Sequence, residues 1–335
     1  MIAELSANHL GSLDRARKII AAAANAGADA VKLQTYSPDS MTLDLHGNGF
    51  SIESGPWAGQ TLYELYAAAQ TPWEWHAELF DCAAALGVQI FSSPFDATAV
   101  EKLDALGAPV FKIASFELVD HDLIQTAAAT RKPLILSTGM ASEAEIEEAL
   151  GVAYAAGCRE LALLHCVSGY PTPPGESNLL RIAELARTFG GVAGLSDHSL
   201  GPAVPVTAVA LGARVIEKHL TLDRDDGGPD AAFSLEPDEF RALVRDTRCA
   251  FEALGSADPA RAASEKPNAR FRRSLYAVRD IGEGETLSRE NVRAIRPGFG
   301  LAPRHLPELL GRRTVRSLRR GDPLSWTAVE AQIEK

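Results

Sequence analysis

The sequence has few cysteines, and none are paired with the spacing of a metal site or a redox motif. Four cysteines are scattered along 335 residues, and no CxxC occurs. They are Cys82, Cys158, Cys166 and Cys249. Isolated cysteines of this kind are typical of reduced structural thiols in intracellular proteins. The pattern disfavours both a disulfide scaffold and a thiolate-bound structural zinc.

Long apolar runs and nucleotide-binding motifs are also missing. No run approaches the roughly 18 apolar residues that a membrane-spanning helix needs. The N-terminal MIAELSANHLG lacks the basic and then apolar segments of a signal peptide, so we expect a cytoplasmic protein. Neither a GxGxxG after the first predicted strand nor a P-loop is present, which disfavours a nucleotide ligand.

The chain has no block of basic residues of the kind that forms a nucleic-acid-binding tail. Its net charge is −11, but the charge is divided unevenly. From Arg270 onward there are 14 Lys and Arg against 8 Asp and Glu, and before it 19 against 36. Because the basic residues are interleaved with Gly, Pro and apolar residues, we expect a small basic domain folded over an acidic one, and no nucleic-acid partner.

The sequence does contain a repeated alternation of short apolar strands and Ala-, Leu- and Glu-rich helical segments. Several helical segments end at a glycine that an apolar strand follows, which predicts parallel αβ units. These glycines are Gly27, Gly87, Gly107, Gly157 and Gly212. The predicted strands cover residues 3–5, 31–34, 89–93, 111–115, 134–138, 162–166, 193–196 and 215–219. Eight units over about 250 residues predict a (β/α)8 TIM barrel; a doubly wound sheet is the alternative.

Further features predict the domain organisation. Residues 37–60 are rich in Gly, Pro and aromatics and predict a rim loop, followed by one long or broken helix. We expect the barrel over residues 1–254, a linker over 255–270 and a β-rich module over 271–335. In that module Ser288 is a candidate cap for a one-turn helix around Glu290. The module has too little core to be stable alone, so we expect it to lean on a barrel.

Two histidines carry the main functional signal. His198 in GLSDHSLG and His219 in VIEKHLTLDRDDGGPD each end an apolar strand and begin a polar loop. The C-terminal ends of barrel strands are where catalytic groups collect, so both imidazoles can converge on one divalent metal. Asp197 and Glu217 are candidates to orient the ligands or to bind through water. A helix cap, a core histidine and a general base remain alternatives.

Two lysines occupy otherwise apolar strands, Lys32 in AVKLQT and Lys112 in VFKIAS. A buried ammonium needs an anion. One possibility is a salt bridge to a barrel carboxylate. The other is an anion cradle in which the lysines and the hydroxyls of Ser93, Ser115 and Ser137 bind phosphate and carboxylate groups.

Three acidic residues are candidates for proton transfer or for binding sugar hydroxyls, namely Glu4, Glu117 and Asp230. Glu117 lies two residues after Ser115 at the same strand exit. Burial there would raise its pKa toward neutrality, where a carboxyl group can shuttle a proton.

In this order, the motifs resemble the sialic acid synthase family, whose members condense phosphoenolpyruvate with an N-acylated amino sugar to form a nonulosonic acid. The resemblance covers nearly the whole chain, through AELSANHLGS, AVKLQTY, FSSPFD, FKIASFE, LILSTGM, LLHC, YPTPP, GLSDHSLG, IEKHLTLDRDDGGPD, RRSLYAVRDIGEGE and IRPGFGL. It implies a TIM barrel followed by an antifreeze-like SAF domain. It also implies an N-terminal hairpin ahead of the first strand that closes the lower end of the barrel. This sequence starts at the first strand, and the alternatives are a start site placed too late, a shortened sequence or an open barrel floor.

Within the family, QTYSPDSMTLD, GPWAGQTLYELY and TLDRDDGGPDAAFSLEP resemble members that use 2,4-diacetamido-2,4,6-trideoxy-L-altrose. N-acetylmannosamine and the legionaminic acid precursor remain alternative sugars. A non-catalytic sugar-binding barrel and an aldolase that forms a Schiff base at Lys112 are more distant alternatives.

The resemblance also implies residue roles. His198 and His219 match metal ligands, with Mn²⁺ as the expected ion and Mg²⁺ or Co²⁺ as alternatives. The positions that match phosphoenolpyruvate-binding residues are Lys32, Ser93, Lys112, Ser115, Ser137, Ser168 and Ser196. Ser168 stands where sialic acid synthases carry asparagine. The positions that match sugar contacts are Glu4, Gln34, Tyr170, Asp230 and Arg296.

The implied subunit arrangement and chemistry complete the prediction. Arg296 reaches the partner's active site in a domain-swapped homodimer. Glu4, Glu117 and Lys112 are the expected catalytic groups. The water that adds to the condensed intermediate is either bound to the metal or positioned by Glu117, and Lys112 stabilises charge.

Overall fold

A computed structural model describes residues 1–47, 49–55, 57–260 and 262–331. The chain divides into two compact units, Met1–Gly255 and Ser256–Lys335. Part of the predicted rim loop (Asn48 and Pro56), one linker residue (Arg261) and residues 332–335 of the predicted C-terminal module lie outside the described residues.

The first unit is a closed barrel of eight parallel strands, as predicted. The strands are β1 Ile2–Glu4, β2 Ala30–Thr35, β3 Gln89–Pro94, β4 Phe111–Ile113, β5 Leu134–Ser137, β6 Leu161–Cys166, β7 Val192–Asp197 and β8 Val215–His219. Strand β1 pairs with both β2 and β8, which closes the barrel.

Helices alternate with the strands. They are α1 Leu13–Ala26, α2 Pro38–Met41, α3 Leu62–Ala69, α4 His76–Leu86, α5 Ala97–Ala105, α6 His121–Ala129, α7 Glu143–Ala155, α8 Leu180–Phe189, α9 Ala203–Ala210 and α10 Pro237–Leu254. The glycines predicted to end helical segments all have positive φ, from 70° at Gly87 to 111° at Gly157. The helix predicted after the rim loop is broken into α3 and α4, because Pro72 separates them.

The alternation of side chains along each strand decides what lies inside the barrel. Outward residues such as Ala3, Val31 and Leu33 pack against α1 and α10 in a large apolar core. Inward residues near the strand starts form a small apolar cluster at the barrel floor, made of Ile2, Ala30, Phe91, Val110, Ile135 and Val215. Two residues further along the same strands the inward positions become polar, at Glu4, Lys32, Ser93, Lys112, Ser137 and Glu217. The polar groups therefore gather at the C-terminal end of the barrel.

The second unit contains an antiparallel pair, β9 Ser274–Ala277 and β10 Val292–Ile295, and one short helix, α11 Leu306–Leu309. Its core is a cluster of small and medium aliphatic residues around Leu275, Ile281 and Leu318. The one-turn helix predicted around Glu290 is wrong, because residues 289–291 form a turn. The Asn291 side chain accepts a 2.7 Å hydrogen bond from the Ser288 N–H, which closes that turn just before β10 begins.

In the described part of the chain, none of the helices is both long enough and apolar enough to cross a membrane.

Candidate active site

A cavity of about 510 Å³ opens at the C-terminal ends of the barrel strands. One side carries the polar residues of the inner strand faces, including Lys32, Lys112 and Glu217. The apolar part of the lining, the apolar wall, comes from the rim segment between β2 and α3, through Met41 and Ile52, and from α3, through Leu62, Leu65 and Tyr66. The cavity therefore combines charged groups with an apolar wall.

The two histidines meet at this cavity. His198 follows β7 and His219 ends β8, and their ring centroids lie 5.5 Å apart. His198 Nδ1 lies 3.0 Å from the Val167 carbonyl and donates to it, so Nε2 keeps its lone pair. His219 Nδ1 is buried without a hydrogen-bond partner. Burial lowers the pKa of both rings, which keeps them neutral, the form that binds metal ions.

These residues fit a divalent cation with an open coordination shell. No group of three or more His, Cys, Asp or Glu side chains suited to a metal occurs among the described residues. Two neutral imidazoles would leave most coordination positions of a cation to water and substrate, whereas a structural site fills its positions with protein ligands.

The suggestion that Asp197 assists the metal ligands does not match its contacts, and the same suggestion for Glu217 stays a prediction. Asp197 pairs with the fully buried Lys218 at 2.6 Å and accepts from the Ser199 N–H. Glu217 accepts a 2.9 Å hydrogen bond from Ser196. Asp197 is therefore engaged through both oxygens, because Lys218 lies opposite it in the barrel register, whereas Glu217 Oε2 is buried without a hydrogen-bond partner among the described residues.

The two lysines have different surroundings. Lys32 forms a salt bridge with Glu4, lies 3.9 Å from Glu217 and donates to Ser93. Burial alone would lower the pKa of Lys32, but Glu217 and Glu4 outweigh it and raise that pKa.

Lys112 has no such partner. Its ammonium donates to the Ser137 hydroxyl at 2.6 Å and to the Ile113 carbonyl at 3.0 Å, and no carboxylate of the described residues lies within salt-bridge distance. Burial lowers the pKa of Lys112. A cation that is 2% exposed and lacks a counterion is a ready binding group for an anion.

A group of hydroxyls lies near Lys112. Ser115 and Ser168 are hydrogen-bonded at 3.0 Å, and both line the cavity with Ser137 and Ser196. Gly139 makes this packing possible, because a Cβ there would lie 2.5 Å from the Ser168 hydroxyl and 2.6 Å from the Cys166 sulfur. Ser93 differs from the others, since it is fully buried and contacts Lys32.

The acidic groups have raised pKa values. Burial, aided by Glu217 and opposed by Lys32, raises the pKa of Glu4 to about 7. Burial also raises the pKa of Glu117 to about 7, and one of its carboxylate oxygens has no hydrogen-bond partner. Burial raises the pKa of Asp230 as well, although hydrogen bonds from Ser6 and Ala7 oppose this.

Aromatic rings stand beside the histidines. The Tyr170 ring centroid lies 4.4 Å from that of His198 and 5.3 Å from that of Phe233. Trp57 from the rim segment lies 6.1 Å from Tyr170 and donates to the Pro229 carbonyl at 3.0 Å. This hydrogen bond ties the rim segment to the loop that carries Asp230.

One further residue of this site was not predicted. The backbone N–H of Ser6 donates to Glu4 at 2.8 Å, and its hydroxyl contacts Asp230 and accepts from Gln34 at 3.1 Å. Ser6 lies two residues after the inward Glu4 in AELSANH, and this spacing could have indicated that Ser6 lies at the same site. Arg296 lies exposed directly after β10 in the second unit, and its contact with the sugar stays a prediction.

Comparison with known proteins agrees with this geometry. The NeuB family model matches residues 19–259, and the SAF domain model matches residues 272–330. The chain is 42% identical to a pseudaminic acid synthase of Helicobacter pylori, over 99% of this chain and 98% of the relative. It is 46% identical to a pseudaminic acid synthase of Campylobacter jejuni, over 97% of this chain and 94% of that protein.

Solved structures give the same picture. A sialic acid synthetase from Leptospira borgpetersenii superposes with a TM-score of 0.72 at 33% identity, covering 80% of this chain and 88% of that one. A spore coat polysaccharide biosynthesis protein E homologue from Chromobacterium violaceum gives 0.75 at 26% identity, covering 98% and 99%. The chain therefore belongs to the NeuB family and carries a C-terminal SAF domain.

Proposed function

We propose that the chain condenses phosphoenolpyruvate with 2,4-diacetamido-2,4,6-trideoxy-L-altrose, releasing phosphate and forming pseudaminic acid. It is a transferase that forms a C–C bond, in carbohydrate biosynthesis. The identity of 42–46% to pseudaminic acid synthases over nearly their whole length supports the choice of sugar. Within the site, the observation that carries the reaction type is the unpaired Lys112 ammonium in the same cavity as two neutral histidines.

Phosphoenolpyruvate carries the negative charge that this part of the cavity lacks. Lys112 supplies the free cation, and the hydroxyls of Ser115, Ser137, Ser168 and Ser196 supply hydrogen bonds to its phosphate and carboxylate oxygens. Lys32, held by Ser93 and Glu4, adds a second positive charge when Glu4 is protonated, the form in which Glu4 can donate a proton. Since these groups are already in place, they stabilise charge in the transition state with little reorganisation.

The sugar occupies the rest of the cavity. Glu4, Gln34, Tyr170 and Asp230 provide hydrogen bonds to its hydroxyl and amide groups, and Arg296 contributes from the SAF domain of a partner in a domain-swapped homodimer. The apolar wall of the rim segment faces the methyl groups of this trideoxy, diacetylated sugar. A fully hydroxylated hexose would bring polar groups against that wall, which costs binding energy unless they find hydrogen bonds.

The protein groups account for the proton movements. The alkene carbon of phosphoenolpyruvate attacks the aldehyde carbon, and the aldehyde oxygen gains a proton from Glu4. Water then adds to the former enol carbon and gives one proton to Glu117. The C–O bond to phosphate breaks as the hydroxyl of this tetrahedral intermediate becomes the keto group and returns its proton to Glu4, and the departing phosphate takes the proton held by Glu117. Carboxyl groups with pKa values of about 7 can donate and accept protons near neutral pH.

Members of this family are generally metal-dependent. We assign the metal to His198 and His219, with Mn²⁺ as the expected ion and Mg²⁺ or Co²⁺ as alternatives. Imidazole nitrogen binds Mn²⁺ and Co²⁺ better than Mg²⁺. When bound, the cation acts as a Lewis acid on the aldehyde oxygen. We also propose that the protein is cytoplasmic and forms a homodimer.

Mass spectrometry of the product tests the function. The enzyme with phosphoenolpyruvate, Mn²⁺ and the diacetamido-altrose sugar should form pseudaminic acid with one phosphate released per product. A chelator should stop the reaction, and N-acetylmannosamine and the legionaminic acid precursor should react with a much lower kcat/KM. Equal or better turnover of either of these two sugars would contradict the proposed substrate.

A further inference from the structure

Ser6 has a backbone conformation that side chains rarely adopt. Its φ is +47°, in the left-handed region that favours glycine, and the residue is 2% exposed. A strained residue of this kind persists only when its surroundings hold it in place, and such residues cluster at functional sites. Ser6 also lines the cavity of the candidate active site.

The contacts of Ser6 join three separate parts of the barrel. Its N–H donates to Glu4 at the end of β1, at 2.8 Å. Its hydroxyl donates to Asp230 in the loop after β8 and accepts from Gln34 of β2 at 3.1 Å. Glu4, Gln34 and Asp230 are three of the groups assigned above to the sugar.

A glycine would meet the backbone requirement at this position with less strain, but it would remove the hydroxyl. Without the hydroxyl, the half-buried Asp230 carboxylate would lose one of its donors, and Gln34 would lose an acceptor. The serine therefore retains an unfavourable backbone conformation together with a hydroxyl that links two side chains across the site. This combination is what a positioning role requires.

We propose that Ser6 is a positioning residue that sets the relative placement of Glu4, Gln34 and Asp230 and thereby determines affinity for the amino sugar. The inference rests on the proposed function, because it concerns the sugar half of that reaction. It adds a residue that acts through three others and does not itself take part in bond formation.

The variant Ser6→Gly tests the proposal because it relieves the backbone strain while removing the hydroxyl. We expect the melting temperature to stay within about 3 °C of the wild type. The KM for the sugar should rise at least about tenfold, since a hydrogen bond to a charged group is lost, while the KM for phosphoenolpyruvate stays within about twofold. Ser6→Ala should show the same rise in the KM for the sugar. Its melting temperature should be lower than that of Ser6→Gly, because alanine keeps the backbone strain that glycine relieves.

Arg131→Gly is the matched control. Arg131 also has a positive φ, +62°, but it is exposed and lies between α6 and β5 at the opposite end of the barrel. Its replacement should leave the KM values for both substrates unchanged. A rise in the sugar KM of Arg131→Gly equal to that of Ser6→Gly would overturn the proposal, because it would assign the effect to backbone flexibility.

A double-mutant cycle separates positioning from direct contact with the sugar. If Ser6 acts through Asp230, Ser6→Gly combined with Asp230→Asn should weaken kcat/KM for the sugar no more than the worse single variant. Additive losses would overturn the positioning role.

A crystal structure of Ser6→Gly provides a test that needs no turnover. The carboxylate of Asp230 should leave its wild-type position, and unchanged positions of Glu4, Gln34 and Asp230 would overturn the inference. A wild-type enzyme that fails to react with the sugar would contradict the proposed function, whereas a reactive wild type with an unaffected Ser6→Gly would contradict the Ser6 inference alone.

Discussion

Lys112 donates a 2.6 Å hydrogen bond to Ser137, and its buried ammonium has no carboxylate partner within the described residues. Lys218 is equally buried but forms a 2.6 Å salt bridge with Asp197. The two lysines thus share burial and differ in their counterion. The difference leads to opposite predictions for stability.

Replacing Lys112 by methionine should stabilise the unliganded protein or leave its stability unchanged, because it removes an unpaired buried charge. The same variant should lower kcat/KM for phosphoenolpyruvate by at least about a hundredfold, since a charge-assisted hydrogen bond to the substrate is lost. Thermal unfolding and steady-state phosphate release measure the two effects. A marked drop in melting temperature would mean that Lys112 has a structural partner.

Replacing Lys218 by methionine should destabilise the protein by about 3–5 kcal/mol, because Asp197 then remains buried without a counterion. Urea unfolding measures this loss. The double variant with Asp197→Leu removes both charges and should recover part of it. A loss below about 1 kcal/mol in the single variant would contradict a stabilising role for this pair.

The sequence predicted much of this site because strand periodicity is a local property. Alternation along β1, β2 and β4 places Glu4, Lys32 and Lys112 inside the barrel, and the glycines after the helices mark where strands begin. Which buried charges pair with each other depends on the register between strands. For that reason the sequence left open a salt bridge or an anion cradle for both lysines, and only the structure distinguishes Lys32 from Lys112.

Ser6 was missed for a different physical reason. Its spacing of two residues from Glu4 is visible in the sequence, but the left-handed conformation has no sequence signature, and its partners Gln34 and Asp230 come from distant segments. The assignment of Asp197 as a group that supports metal binding failed because its partner Lys218, on the neighbouring strand, lies directly opposite it in the sheet register. Both cases depend on tertiary contacts that no local pattern encodes.

The apolar wall of the rim segment should contribute to sugar selectivity. Ile52→Asn places a polar group against the methyl groups of the trideoxy sugar and should raise its KM about tenfold, the typical value of one methyl contact in a pocket. Leu43→Asn is the control, because Leu43 belongs to the same rim segment but is 60% exposed. Steady-state kinetics measure the KM for the sugar. An equal change of this KM in the two variants would contradict a contact between the apolar wall and the methyl groups of the sugar.

Glu117 should make the unliganded protein less stable as the pH rises. Its pKa in the folded protein is about 7, above its ordinary value of 4.5, so between these values the folded state binds more protons than the unfolded state. The contribution of Glu117 to the free energy of unfolding is therefore fully present below pH 4.5 and is lost as the pH rises through 7. The melting temperature of Glu117→Gln should match the wild type near pH 5 and exceed it near pH 8. A constant difference between the two proteins across this range would contradict the raised pKa.

Binding of one divalent cation by His198 and His219 together is tested most directly by Mn²⁺ titration followed by electron paramagnetic resonance. The wild type should bind one Mn²⁺ per chain in the active site, and His198→Ala and His219→Ala should each weaken that binding by at least about tenfold while remaining folded. Equal Mn²⁺ affinity in the wild type and in both variants would contradict the shared site.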